Sequence, residues 1–305
     1  MIAEKVLQHP CRVLTEAQRL QFFRDGYLVI EDYVPEAWLE RLRTATAELV
    51  DQSRSRSETD TTFILEEGHS AETPRLHRVS SPQDQHPEMW AFMRDAVMTD
   101  LVADVVGPDV KFHHAKLNVK SGKGSGGFDW HQDIPAWPHT DYSPVTVGVY
   151  INGCRPDQGP LSFLPGTHSG PLYSMYDDDG NFVVRIREED LAWVSEDMVA
   201  RPTGGPGTTV LLNCRTIHGS SPNRSADPRL LLLPVYSSAD CFPYTPSPIP
   251  SVHQGDIVRG KPARYASFDP RACELPPDWR GGYKTVWQHK NKGDNGASAA
   301  AGRGM

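Results

Sequence analysis

From Val110 onward the chain consists of short apolar or β-branched runs cut by turn residues, and that texture constrains its fold more than any other feature. "VTVGVYIN", "LSFLP", "TTVLLN" and "LLLLPVY" are separated by Pro, Gly, Asn and Asp. "VKFHHAKLNVK" alternates in places before "SGKGSGG" breaks it. Runs of this length and residue type read as strands. With 26 Pro and 25 Gly in 305 residues, long helices cannot dominate. The first hundred residues read differently. Thr15 and Gln18 fit a capping box for "TEAQRLQFFRDG", and Gly26 is its stop. "YLVIEDYV" reads as a strand, and "PEAWLERLRTATAELVDQS" as an amphipathic helix with Pro35 at its first turn. "PEMWAFMRDAVMTDLVADVVG" carries one or two further helices ending at Gly107. Helices first and many short strands after predict a mainly β jelly roll with N-terminal helices packed outside. One domain is expected over residues 1–290. It comprises a helical part at 14–107, a jelly-roll core at 110–236 and a Pro-rich wrapping extension at 237–290. The end, 291–305, has almost nothing to bury and is expected to be disordered.

Charge and composition narrow the function classes. A formal charge of −8 gives no reason to expect nucleic acid or an anionic membrane as partner. No run approaches the roughly 20 apolar residues of a membrane-spanning helix. "MIAEKVLQHPCRVL" lacks the order of a signal peptide, so a cytoplasmic location is expected. The five cysteines (Cys11, Cys154, Cys214, Cys241, Cys273) are scattered, with no CxxC, and read as free thiols. A small-molecule substrate fits this profile, with monomer and dimer both open.

The chemistry concentrates in "FDWHQDIPAWPHTDYSPV", which holds two His-x-Asp copies, His131/Asp133 and His139/Asp141. In a strand, residues two apart share a face, so either pair could present a nitrogen and an oxygen to one metal ion. A third ligand is available only to a pair whose fold brings another His alongside. His218 follows an apolar run 87 residues after His131, a separation that suits a jelly roll. Eleven residues later Arg229 opens "LLLLPVY". A cation at the head of so apolar a run should point into a cavity or pair with a carboxylate. Two His and one carboxylate leave open coordination positions, as non-haem Fe(II) oxygenases require. A hydrogen-bonded polar cluster in a plain sandwich is the alternative reading of the same three residues.

"WHQD" at 130–133, "DQGPLSFLPGTH" at 157–168 and "HGSSPNRSADPR" at 218–229, together with "LTEAQRLQFFRDGYLVIEDYV" at 14–34, resemble the phytanoyl-CoA dioxygenase family, which includes ectoine hydroxylase. The resemblance covers most of residues 14–236. It implies a double-stranded β-helix, a cupin-like jelly roll, that uses Fe(II), 2-oxoglutarate and O2. His131, Asp133 and His218 fall on the family's iron ligands. Arg229 falls on the residue that binds the distal carboxylate of 2-oxoglutarate, and Ser220 on a position that helps hold it. Asn118 matches a polar position lining the co-substrate pocket, and Lys116 and His114 share its face by alternation. Family members that halogenate have a small residue in place of the carboxylate ligand. Asp133 therefore favours hydroxylation of an unactivated C–H, with release of succinate and CO2. A hydroxylase of specialised metabolism, or one acting on an amino-acid-like or organic-acid substrate, is preferred over an acyl-CoA hydroxylase, which stays an alternative. Desaturation, epoxidation and ring rearrangement share the first hydrogen abstraction, and a non-catalytic binding protein on the same fold is the reading from another class.

Phe128, Trp137, His139 and Phe163 are candidates for packing on substrate. His139 and Asp141 lie between Pro138 and Pro144, which prevents a regular ladder, so this second copy is expected at the pocket mouth rather than as a second metal site. His113 and His114 are adjacent in a strand and should face opposite ways. His168, beside Pro and Gly in "LPGTHSG", reads as structural.

Overall fold

The computed structural model describes residues 3–122 and 124–278. Its helices are α1 (Ala3–Val6), α2 (Glu16–Asp25), α3 (Glu36–Ser53), α4 (Pro82–Gln85), α5 (Pro87–Met93) and α6 (Ala96–Val106). Its strands are β1 (Tyr27–Ile30), β2 (Phe63–Leu65), β3 (Leu76–Ser80), β4 (Val110–Lys120), β5 (Phe128–His131), β6 (Val145–Tyr150), β7 (Leu161–Phe163), β8 (Thr209–Asn213), β9 (His218–Ser220), β10 (Arg229–Ser238) and β11 (Ile257–Arg259). The expected tail at 291–305 lies outside the described residues.

The strands form a major sheet in the order β1-β8-β6-β10-β4-β3-β2, with β11 added to β4, and a minor sheet β5-β9-β7. All the ladders are antiparallel. The two sheets face each other as a double-stranded β-helix, the jelly roll read from the strand texture.

Alternation along the central strands sorts residues between two faces. On β10, Leu230 and Leu232 join the core shared with the helices, while Leu231 and Leu233 join the core between the sheets. On β4, Ala115, Leu117 and Val119 face the helices. On β6, Val145, Val147 and Val149 do the same, which leaves Thr146 and Tyr150 inside. Leu39, Leu42, Ala45 and Leu49 of α3 cover the outer face with Met89, Phe92 and Met93 of α5. The polar residues Lys116, Asn118, Lys120 and Arg229 therefore fall on the inner face, which is where the site lies.

Local signals behave as their chemistry requires. The Thr15–Gln18 capping box closes α2. Gly26 ends the helix at φ +77, where a Cβ would strike Thr216 and the His168 ring. His168 is anchored there by a ring nitrogen 3.0 Å from the Phe23 carbonyl, a structural role. Asp104 accepts three main-chain amides, those of Arg12, Val13 and Leu14, each at 2.8 Å, and so clamps the N-terminal segment to α6. The extension after β10 runs along the body: Thr140 donates its amide to Phe242, and Ser81 its hydroxyl to the Pro250 carbonyl.

One expectation fails locally. His113 and His114 do not face opposite ways: both rings pack on Trp137, and their Nδ1 atoms approach to 2.6 Å. The ladder between β4 and β10 shifts register here, with His114 opposite Val235 and Phe112 opposite Tyr236. His113 is the extra residue of a β-bulge, and a bulge cancels the two-residue period on which the expectation rested.

Candidate metal centre

His131 ends β5 and His218 begins β9, and the two are paired directly across the minor sheet. Register alone thus brings together residues 87 apart in sequence, with ring centroids at 4.1 Å. The chain then turns after β5, where Asp133 N–H donates to the Cys214 carbonyl at 3.0 Å. That bond fixes the carboxylate beside the two rings. Ligand atoms of His131, Asp133 and His218 all lie within 4.8 Å of one another, which no other group of three His, Cys, Asp or Glu achieves among the described residues.

The remaining polar atoms of these side chains are already engaged. His131 Nδ1 meets the Asp129 carbonyl at 2.8 Å, and His218 Nδ1 meets the Thr216 carbonyl at 3.0 Å. Each ring therefore carries its proton on Nδ1 and offers a bare Nε2, the tautomer a metal needs. Thr146 donates to Asp133 Oδ2 at 2.9 Å, leaving Oδ1, 4.0 Å from His218 Nε2, for a cation. Burial pushes both imidazole pKa values down, so the rings are neutral. Burial works against charge on Asp133, yet its carboxyl is held below the usual range, favoured by the neighbouring Lys116 and by the Thr146 hydrogen bond. An ionised carboxylate with two neutral imidazoles is a fitting donor set for a divalent transition metal.

The triad opens on a cavity lined also by Arg78, Lys116, Asn118, Phe128, Thr146, Leu161, Leu212, Ser220, Arg229, Leu231 and Leu233. An open groove of about 460 Å³ adjoins it, with Phe128, Gly219 and Ser220 common to both. Arg229 is fully buried, yet none of its three guanidinium nitrogens has a hydrogen-bond partner among the described residues. Burial lowers its pKa, but a guanidinium stays charged in any protein. Such a fork is costly alone and matches one carboxylate in bidentate fashion.

Ser220 is the next polar group. Lys120, 1% exposed, donates to Ser220 Oγ at 2.9 Å and also to the Ser221 carbonyl. With its oxygen accepting from the Lys120 amine, the Ser220 hydroxyl keeps its own proton for a neighbour. Burial and the nearby Arg229 push the Lys120 pKa down to about 6. Burial also pushes Lys116 down to about 8, Asp133 opposing the shift and Arg78 adding to it. Asn118 accepts from Arg78 Nε at 3.2 Å.

The structure thus brings His131, Asp133, His218, Arg229, Ser220, Asn118, Lys116 and Phe128 around one space. Phe163 lies behind it, stacked between Tyr27 and His218. Trp137 and His139 do not line it. His139 is buried, with Nδ1 on the Trp137 carbonyl and its ring against His113. The mouth position expected for it is occluded because residues 242–244 cross over 138–140. Sequence reasoning missed Arg78, Thr146 and Lys120. Alternation in "VTVGVY" would have placed Thr146 inside; nothing comparable marks Arg78.

A family model described as phytanoyl-CoA dioxygenase matches residues 22–231. Among curated relatives, a probable alpha-ketoglutarate-dependent hypophosphite dioxygenase of Stutzerimonas stutzeri is 26% identical over 261 residues, 85% of this chain and 90% of the relative. An ectoine dioxygenase of Sphingopyxis alaskensis is 27% identical, covering 74% of this chain and 76% of the relative. An L-proline trans-4-hydroxylase of Streptomyces griseoviridis is 25% identical, over 75% of this chain and 88% of the relative. Among solved structures, EctD from S. alaskensis with bound Fe superposes at a TM-score of 0.63 and 24% identity, covering 86% of this chain and 89% of that one. That likeness concerns the fold.

Proposed function

The chain belongs to the phytanoyl-CoA dioxygenase family and is a 2-oxoglutarate-dependent non-haem iron dioxygenase, and from that premise we propose that it hydroxylates an unactivated C–H bond of a small molecule. In that reaction one atom of O2 enters the alcohol and the other enters succinate as 2-oxoglutarate loses CO2. The observation that carries the reading is the unpartnered Arg229 guanidinium, facing the same cavity as the three ligand residues.

In this reading His131, Asp133 and His218 hold Fe(II), which supplies the activation of O2 when bound. The chain's own residues do the rest. Arg229 takes the distal carboxylate of 2-oxoglutarate, and the Ser220 hydroxyl donates to the same group. Lys120 keeps that hydroxyl aimed by occupying its oxygen. Thr146 holds Asp133 by one oxygen so that the other stays presented. Leu161, Leu212, Leu231 and Leu233 wall the space and exclude water from the reacting groups. Substrate enters beside Phe128, where the cavity meets the outer groove.

Anaerobic titration with Fe(II) and then 2-oxoglutarate, followed by the visible charge-transfer absorbance of the chelate, tests the assignment. His131→Ala abolishes the band, whereas His139→Ala retains it. A band in His131→Ala, or its loss in His139→Ala alone, shows that the wrong His-x-Asp copy has been assigned.

A further inference from the structure

We infer that Gln132 is a positioning residue that couples the strap at 171–187, in the connection between β7 and β8, to the metal triad. Loading the triad clamps the strap, and release of the strap loosens the triad. The inference rests on the iron and 2-oxoglutarate reading of the same site. Gln132 separates His131 from Asp133 in the chain, yet it does not line the cavity. It is fully buried, and its carboxamide makes three hydrogen bonds. Nε2 donates to the Pro171 carbonyl at 3.0 Å and to the Arg215 carbonyl at 2.8 Å, and Oε1 accepts the Tyr173 amide at 3.0 Å. A carbonyl and an amide two residues apart are what one residue of a parallel ladder pairs with. The side chain thus stands in for a strand peptide, with the strap as the neighbouring strand.

The bond to Arg215 closes the circuit. Three successive carbonyls of the turn between β8 and β9 serve the ligand residues. Cys214 accepts the Asp133 and Ile134 amides, both at 3.0 Å, Arg215 accepts Gln132, and Thr216 accepts His218 Nδ1 at 3.0 Å. Moving the start of the strap therefore pulls on the residue between two ligands, or on the turn that fixes Asp133 and His218. Apolar contacts repeat the linkage. Tyr173 and Ile186 of the strap pack in one cluster with Trp130 and Ile217, each one residue before a ligand histidine. The Ile186 amide also donates to the Trp130 carbonyl at 2.8 Å. Arg185 and Ile186 line the outer groove, so the strap links that groove to the geometry of the ligands. A buried carboxamide is costly once a partner leaves, because a polar group is then stranded without a hydrogen bond. Strap and triad consequently settle together rather than separately.

The test is limited trypsin digestion of the anaerobic protein, unloaded and loaded with Fe(II) and 2-oxoglutarate, read by mass spectrometry at the Arg185–Ile186 bond. Arg185 is exposed, but Ile186 is buried and bonded to β5, so cleavage there requires the strap to lift. Loading should slow wild-type cleavage by about 5-fold or more, the low end of ordinary coupling between sites. Gln132→Met keeps the length of the side chain and removes all three bonds. In that variant loading should no longer slow cleavage, and half-saturation by Fe(II) at fixed 2-oxoglutarate should rise, as reciprocity requires. A side chain that only stiffened the fold would raise both cleavage rates in the variant and leave their ratio at the wild-type value. That unchanged ratio overturns the inference, and so does equal cleavage of loaded and unloaded wild type. Should Gln132→Met fail to fold, the Tyr173 amide of the wild type decides. It donates to Gln132 Oε1, so loading should raise its hydrogen-exchange protection by about 5-fold or more, and unchanged protection overturns the inference. If wild type with Fe(II) and 2-oxoglutarate shows no charge-transfer band, the iron reading itself fails, and that result is visible before any protease is added.

Discussion

At the residue scale, the site sets function against stability. Arg229 is a buried cation with no hydrogen-bond partner among the described residues, so the free protein bears the cost of it. Arg229→Met keeps most of the volume and removes the charge. It should weaken 2-oxoglutarate binding by about 30-fold or more, while the unliganded melting temperature holds or rises; titration and thermal melts read the two effects separately. Lys120 gives a pH signature. Its folded pKa of about 6 lies below the value of about 10.4 for an unfolded lysine. Between those values the unfolded chain binds the extra proton. This lysine's contribution to stability therefore grows as pH rises through that window and is lost as pH falls toward 6. A dicarboxylate arriving beside it favours the ammonium, so 2-oxoglutarate binding at pH 7.5 should take up a proton. Calorimetry in buffers of different ionisation enthalpy measures that uptake, and Lys120→Met should remove it. That His131, Asp133, His218 and Arg229 meet around one cavity was legible in the sequence, because their types and spacings are specific to the chemistry. Lys120 lies two residues past Asn118 and so within reach of the alternation that placed Lys116, but it was not read from it; Arg78 was not legible, since a strand arginine reads as solvent-facing until the neighbouring sheet is known.

At the element scale, the candidate metal centre depends on a narrow sheet. Strands β5 and β9 hold His131 and His218 in register, and Gly219 lies between His218 and Ser220. A Cβ on Gly219 would meet the Phe128 carbonyl oxygen at 2.8 Å. Gly219→Ala should wedge the two strands apart, cost about 1–3 kcal/mol and weaken Fe(II) binding; chemical denaturation and metal titration together check it. An unchanged metal affinity would show that the ladder tolerates the methyl group. The strands themselves were legible from their short β-branched runs, and α2 from its capping box. The bulge at His113 was not. No residue in "VKFHHAKLNVK" signals a register shift, which is set by how β10 meets β4 through Val235 and Tyr236.

At the scale of the whole molecule, the inner and outer faces of the major sheet divide the work. The outer face carries the core against the helices and the inner face carries the site. The segment before α2 is tied to that outer core by Asp104, whose carboxylate accepts three amides. Asp104→Ala strips all three of their acceptor and should cost about 3 kcal/mol or more. Urea unfolding reads the loss, and iron affinity should be unaffected because the clamp lies on the helix side. The jelly roll was legible from texture. The clamp was not, because an aspartate in the middle of "MTDLVADVVG" looks like any helix-surface acid.

The meeting of His113 and His114 has a consequence for polarity. Two ring nitrogens 2.6 Å apart share a single proton, so one ring is protonated on Nδ1 and the other on Nε2. Burial drives both pKa values down and keeps the pair uncharged. Their outer Nε2 atoms, both buried and unpartnered among the described residues, are therefore unlike: one is a lone pair, the other an N–H. The two imidazoles form a small dipole with a head and a tail. A polar group that meets the Nε2 of one ring must donate to it, and a group that meets the Nε2 of the other must accept from it, so the two ends of the pair cannot be served alike.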